Sequence, residues 1–267
     1  MNNPNTTIDT ATDFGNVASV FSDSKSLARG AAERFMSIVF DAVMARGRAF
    51  VALSGGSTPR TLFSILGSLE WSSKINWKSV YFFWVDERMV PYSSDDSNYG
   101  VVGALFFSQI NIPQHNIHPI PVISESDVDI DSVLTTYSNQ LGSLLGDEPV
   151  FDLILLGIGA DGHTASIFPH VEIPEVDTPS GARFAFSVTG GEPSVKRVSL
   201  REEVLLMARN LIFIVGGDGK AEIVRNIFDS KKAGSPVFEL PAVRVALNAK
   251  GQVLWLLDEA AAALSHL

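Results

Sequence analysis

Continuous apolar runs of strand length recur along this chain, each followed by a glycine- or charge-rich turn and most by a helix-like segment. The runs are Ala49-Phe50-Val51-Ala52-Leu53, Val80-Tyr81-Phe82-Phe83-Trp84-Val85, and residues 151–156 and 211–215. A strand that is apolar on every residue has to be covered on both faces, as happens in parallel sheets flanked by helices. Helix-like segments follow at 58–66, 98–110 and 221–228, and a last apolar run at 252–257 adds another strand. Ahead of the first strand, Leu27, Ala31, Phe35, Ile38, Val39, Ala42 and Val43 recur at helical spacing behind Ser22 and Asp23, with Gly47 as the stop. Strand, loop and helix in this alternation predict an α/β fold with a mainly parallel sheet. Residues 1–15 read as a polar tail and 16–267 as a single domain. The loop-like stretch 169–193, with Pro169, Pro174, Pro179, Pro193, Gly181, Gly190 and Gly191, leaves room for a smaller second lobe, although strand-like residues 183–188 sit inside it.

Composition narrows the function classes. The 267 residues carry no cysteine, which removes disulfides, thiolate metal sites and a cysteine nucleophile and fits a reducing compartment. A formal net charge of −10 opposes sequence-independent binding to nucleic acid or an anionic membrane, so a phosphorylated ligand needs a local basic pocket. No apolar stretch approaches the ~18 residues of a membrane helix. The N-terminal residues have neither the basic nor the apolar region of a signal peptide. Ser265-His266-Leu267 is a loose relative of a peroxisomal address, and cytoplasmic is the default expectation.

In open α/β sheets ligands gather at the carboxyl ends of the strands, so the loops after the apolar runs come first. Ser54-Gly55-Gly56-Ser57-Thr58-Pro59-Arg60 joins a strand to a helix, with Ser57 or Thr58 as cap and Pro59 as first helical residue. Its glycines and helix N-terminus suit a phosphate cradle. They equally suit a tight turn with an ordinary cap. It is neither a Walker loop nor a nucleophile elbow. The second loop carries Asp86, Glu87 and Arg88, then Asp95 and Asp96. Arg88 has the planar fork that holds an anion or a developing oxyanion, and Asp86 is placed to orient it or carry a proton. Glu87, Asp95 and Asp96 read as solvated carboxylates. The third loop contains G-x-G-x-x-G from Gly157 to Gly162, but Pro169 and Pro174 cut short the helix a dinucleotide site requires. It delivers Asp161 and His163 to a strand end, where a histidine serves as general base and a neighbouring carboxylate sets its tautomer. His115, His118, His170 and His266 have no such setting, and no spacing suggests a metal triad. Arg197 and Lys220 are candidates for an anion pocket, each of which taken alone also reads as a surface cation.

Taken in order, SGGSTP (54–59), DERMVP (86–91), SNYG (97–100), LGIGADGHTASIFP (156–169), PSVKRVSL (193–200) and GGDGK (216–220) resemble the 6-phosphogluconolactonase family. The resemblance runs from about residue 20 to 257. It implies a Rossmann-like fold and hydrolysis of 6-phospho-D-glucono-1,5-lactone in the oxidative pentose phosphate pathway, with no metal or cofactor. The implied partner is a phosphorylated sugar lactone. By position, His163 is the implied base and Arg88 the stabiliser of negative charge, with Asp86 beside it. Gly55, Gly56, Ser57 and Thr58 would hold the phosphate with Arg197 and Lys220, and Asp161 falls among the substrate-binding residues. Where many members read Arg-Ile-Thr-Leu, this chain has Arg197-Val198-Ser199-Leu200. The related glucosamine-6-phosphate deaminases typically have Tyr at the position of Arg88, and Phe-Asn-Glu-Pro where this chain has Ile167-Phe168-Pro169, which favours lactone hydrolysis. A non-catalytic sugar-phosphate sensor is the reading from a different class.

Overall fold

The apolar runs of the sequence lie side by side in one sheet. The structure, a computed structural model, describes residues 8–11, 17–122, 129–173, 182–229 and 236–267. Its strands are β1 (Ile8–Ala11), β2 (Val17–Phe21), β3 (Ala49–Leu53), β4 (Val80–Trp84), β5 (Asp86–Arg88), β6 (Ile117–His118), β7 (Leu153–Leu156), β8 (Ala185–Gly190), β9 (Val195–Leu200), β10 (Asn210–Val215) and β11 (Gln252–Asp258). Its α-helices are α1 (Ser24–Arg46), α2 (Thr58–Gly67), α3 (Leu69–Ser72), α4 (Asn98–Leu105), α5 (Ile130–Leu145), α6 (Glu202–Leu206), α7 (Ala221–Phe228), α8 (Pro241–Asn248) and α9 (Glu259–Ala262). The large sheet runs β1-β2-β11-β10-β7-β3-β4-β6, parallel throughout except for the antiparallel edge strand β1. Every residue of β3 and β7 is buried, as their unbroken apolar character requires.

From β3 the chain order steps through β4 to β6 on one side, and from β7 through β10 to β11 on the other. The direction reverses between β3 and β7. Loops leaving adjacent strands there diverge and open a crevice at their carboxyl ends. A small antiparallel sheet, β5-β9-β8, hangs from the end of β4. Its register sets Arg88 opposite Arg197 and Asp86 opposite Ser199. The two sheets are stitched at Val85, whose N–H donates to Leu53 O at 2.9 Å and whose carbonyl accepts from Leu200 N at 2.7 Å. Phe186, Val198 and Leu200 of the small sheet join the same apolar cluster as the large one.

Helix α1 shows how local sequence sets an element. Asp23 accepts from Ser26 N at 2.7 Å at its start, and Gly47 closes it in the left-handed region at φ 74°. Leu27, Ala31, Phe35, Val39 and Ala42 form the buried stripe. A glycine inside a helix costs about 1 kcal/mol relative to alanine. Gly30 is there because a Cβ would run into the Phe21 ring, so it permits close approach to the end of β2.

Three expectations are corrected. Residues 8–11, inside the stretch expected as a polar tail, pair with β2 as an edge strand, a contact made by main-chain groups that needs no apolar pattern. The rest of that stretch lies outside the described residues. The helix expected over 98–110 ends at Leu105, and a 3-10 turn takes over at Phe107–Gln109. The strand inside the loop-like region starts at Ala185 and runs to Gly190, layered into the small sheet; Pro174, Pro179 and Gly181 lie outside the described residues. Among the described residues no helix is long and apolar enough to cross a membrane.

At the amino end of β7, away from the crevice, the buried Asp152 carboxylate accepts from Phe50 N at 2.9 Å and pairs with Arg46 at 2.7 Å and Arg209 at 3.3 Å. Both arginines are half exposed, so solvent screens their share. The buried Phe50 N–H is the group that would be orphaned. Asp152→Ala should lower the unfolding free energy by about 1–3 kcal/mol, read as a shift of the urea midpoint at unchanged slope.

Candidate active site

The loop after β3 is pinned across the crevice before it turns. Ser54 Oγ donates to Leu155 O of β7 at 2.8 Å. Gly55 then passes so close to Asn98 that a Cβ would fall on the asparagine's side-chain oxygen, and Gly56 sits at φ 105°, where side chains are strained. Ser57 is already helical at φ −73° and ψ −41°, so its hydroxyl makes no cap hydrogen bond, contrary to the expected side-chain cap. A capping side chain needs extended backbone. Ser57 therefore gives the first turn of α2 no side-chain cap, Pro59 has no N–H and Arg60 N donates to Ser57 O at 3.3 Å, so it is Ser57 and Thr58 that bring the positive end of the helix dipole to the crevice mouth.

The loop after β7 holds His163. Its Nδ1 lies 2.6 Å from Asp161 Oδ1, and the same oxygen accepts the His163 N–H at 3.1 Å. Burial works to raise the Asp161 carboxyl, but the His163 N–H and ring outweigh it and hold it below its ordinary 3.8. An ionised carboxylate at that distance requires Nδ1 to carry the proton, which leaves Nε2 as the lone-pair nitrogen. The ring leans on Phe168, with centroids 4.8 Å apart. Gly159 is required beneath it, since a Cβ there would collide with the imidazole. Gly159 N in turn donates to His163 O at 2.8 Å, closing the loop on itself.

The third wall comes from the small sheet. Arg88 donates from Nη1 to Asp96 O at 2.6 Å, while its buried Nε finds no hydrogen-bond partner among the described residues. Arg197, opposite it in register, is 3% exposed and donates from Nε to Gly190 O at 2.8 Å. Burial lowers the Arg197 guanidinium, and Asp86, 3.9 Å away, works in the other direction. Asp86 is buried, accepting from Ser166 Oγ at 2.6 Å and from Asn98 Nδ2 at 3.2 Å. Lys220 closes the loop after β10; burial lowers its ammonium, and Asp161 offsets only part of this.

These walls enclose one cleft. It is lined by Gly55, Gly56, Ser57, Thr58, Asp86, Arg88, His163, Arg197 and Lys220, all anticipated from the sequence, and by Asn98, which was not assigned a role. Three cations face one carboxylate there, in a chain whose net charge is −10. Asp161, expected among the substrate contacts, is not among these lining residues and turns its carboxylate on His163, as expected of a carboxylate that sets the ring's tautomer. Glu87, expected in solvent, is 0% exposed. Its carboxylate accepts from Arg88 N at 2.8 Å, Asn98 N at 2.8 Å, Tyr99 N at 2.7 Å and Ser97 Oγ at 3.2 Å, capping α4. The signal for that cap was present as Ser97-Asn98 before an apolar helix, but the acceptor comes from ten residues upstream. Among the described residues no group of three or more His, Cys, Asp or Glu side chains is arranged to hold a metal ion.

The chain is similar to known proteins over most of its length. Residues 22–255 match the family described as glucosamine-6-phosphate isomerases/6-phosphogluconolactonase. The 6-phosphogluconolactonase of Aggregatibacter actinomycetemcomitans is 38% identical over 217 residues, covering 81% of this chain and 87% of that protein. That of Haemophilus influenzae is 37% identical over 215 residues, covering 80% and 86%. The solved structure of 6-phosphogluconolactonase from Trypanosoma brucei superimposes with a TM-score of 0.76 at 31% identity, over 92% of this chain and 97% of that one.

Burial pushes the Glu87 carboxyl from 4.5 up to about 7, against the N–H groups of Tyr99, Asn98 and Arg88. The folded state then holds a proton that the unfolded chain releases, so this group makes folding less favourable as pH rises from 4.5 through about 7. Glu87→Gln cannot ionise. Its melting temperature relative to wild type should shift in the variant's favour between pH 5 and pH 8, and a constant difference across that range would contradict the assignment.

Proposed function

This chain belongs to the family of glucosamine-6-phosphate isomerases and 6-phosphogluconolactonases, and from that premise we propose that it hydrolyses 6-phospho-D-glucono-1,5-lactone to 6-phospho-D-gluconate in the oxidative pentose phosphate pathway. The observation that carries this reading is one cleft with an imidazole on one wall and an uncapped, glycine-built helix N-terminus on another. Relatives that share 37–38% of their residues over four fifths of this chain carry the name of that activity. We take residues 16–267 as one catalytic unit. The cytoplasm is the compartment we propose for a chain without cysteine.

In this mechanism the substrate's phosphate docks on the turn at Gly55, Gly56, Ser57 and Thr58, with Arg197 and Lys220 supplying positive charge. Binding energy spent at that remote group holds the lactone carbonyl toward His163. His163 Nε2 takes a proton from water as the water oxygen bonds to C1 and the carbonyl electron pair moves onto oxygen. Arg88, whose buried Nε has no acceptor among the described residues, stabilises the tetrahedral oxyanion. The oxyanion collapses, the C1 bond to the ring oxygen breaks, and the imidazolium returns its proton to that oxygen. Asp161 holds Nδ1–H throughout, so the ring keeps one tautomer and one orientation. Asp86, tied to Ser166, Asn98 and Arg197, fixes the wall that carries both guanidinium groups.

Freshly made 6-phosphogluconolactone should disappear faster with the protein than it does spontaneously. His163→Ala should lower kcat by about 10²–10⁴, and near-normal turnover would remove the base from its role. Lys220→Ala should raise KM for the phosphorylated lactone by about tenfold to a hundredfold, the range of a charge-assisted hydrogen bond. An equal effect on unphosphorylated glucono-1,5-lactone would argue against a phosphate contact.

A further inference from the structure

Four donors converge on one buried carboxylate that does not itself line the cleft. Glu87 lies between Asp86 and Arg88, two side chains that do line it. Capping accounts for only part of its placement: Ser97 Oγ accepts from Gly100 N at 3.0 Å and Glu87 takes other first-turn N–H groups of α4, but it also holds Arg88 N, which is outside the helix. The Glu87 contacts add a second set of bonds directed at Asn98 N, Tyr99 N and its own neighbour Arg88 N. Asn98 is the residue through which this set reaches the site. Its Nδ2 donates to Asp86 O at 2.8 Å, and its side-chain oxygen occupies the space a Cβ at Gly55 would need. One amide is therefore wedged between the arginine wall and the anion turn, with its main chain held by Glu87.

We propose that Glu87 is a positioning residue that keeps the arginine wall in register with the anion turn, acting through Asn98. The proposal rests on the lactonase reading above and concerns how its two halves are coupled. Phosphate binding speeds hydrolysis only if the phosphate socket and the groups at the carbonyl stand at the right separation. Asn98 sets that separation from Gly55 on one side and Asp86 on the other, and the Glu87 carboxylate sets where Asn98 stands. Loss of the carboxylate frees the first turn of α4, and the two walls lose their common reference.

The test is a ratio: kcat/KM for the phosphorylated lactone divided by kcat/KM for glucono-1,5-lactone. This ratio does not depend on how much of a variant is folded. In Glu87→Ala it should fall by about tenfold or more, within the reach of a sub-ångström to 1 Å misplacement. Asn98→Ala, which leaves the Glu87 cap on the α4 main chain and removes only the amide, should lower the ratio to a similar degree. The double variant should fall no further, since both changes cut one linkage. Asp152→Ala loses stability at the far end of the sheet and should keep the wild-type ratio. Wild-type protein that leaves the phosphorylated lactone at its spontaneous rate overturns the hydrolase reading itself. Wild-type turnover with the ratio of Glu87→Ala or Asn98→Ala within about twofold of wild type, the scatter of independent sites, overturns the positioning role alone.

Discussion

Everything in the cleft depends on the reversal of strand order between β3 and β7, where the loops of two adjacent parallel strands leave in opposite directions. The Ser54 hydroxyl, bonded to Leu155 O, ties those two strand ends together at the point of divergence. The anion turn continues from one side of that tie and the histidine loop from the other. Since both strands are fully buried, neither end can shift without moving the apolar core.

A second feature is the use of buried carboxylates to hold loops. Asp86, Glu87, Asp152 and Asp258 are all nearly inaccessible to solvent, and each accepts hydrogen bonds from main chain or from neighbouring polar side chains. Asp258 takes Gly217 N with both oxygens, at 3.0 and 3.1 Å, and caps α9 through Ala261 N at 2.8 Å. It thereby fixes the turn that leads to Lys220. Such bonds, made out of solvent with an ionised or strongly polar acceptor, are worth more than the exposed pairs of Arg29 with Glu33 and Glu70, for which ~0–1 kcal/mol is typical. The negative charge of this chain is thus partly structural, and it leaves the cleft itself with three cations against one carboxylate.

Much of the site was legible in the residues: glycine-rich turns after apolar runs, a histidine two positions from an aspartate, and isolated basic residues near strand ends. What misled was the treatment of charge. Glu87 looked like one more solvated acid in an acidic loop, and its partners Asn98 and Tyr99 lie 11 and 12 positions away, beyond the reach of any helical or strand period. The pairing of Asp161 with His163 was legible, since a carboxylate two positions from a histidine is placed to set its tautomer. Ser57 or Thr58 fits a cap by residue type and position, but the Ser57 backbone is already helical and Thr58 is the first residue of α2, so no side chain caps the helix there.

By itself the sequence determined the parallel α/β architecture, the start and stop of α1, and the loops that bear chemistry, because apolar periodicity, capping and turn preference act over a few residues. Only the tertiary structure decided that β5 pairs with β9, which brings Arg88 opposite Arg197 across more than a hundred residues of chain, and that β1 closes the edge of the large sheet. Antiparallel pairing of this kind is written in main-chain hydrogen bonds, which every residue but proline can make. Such contacts leave no mark on side-chain pattern, so the partner of a short polar strand has to be found in space.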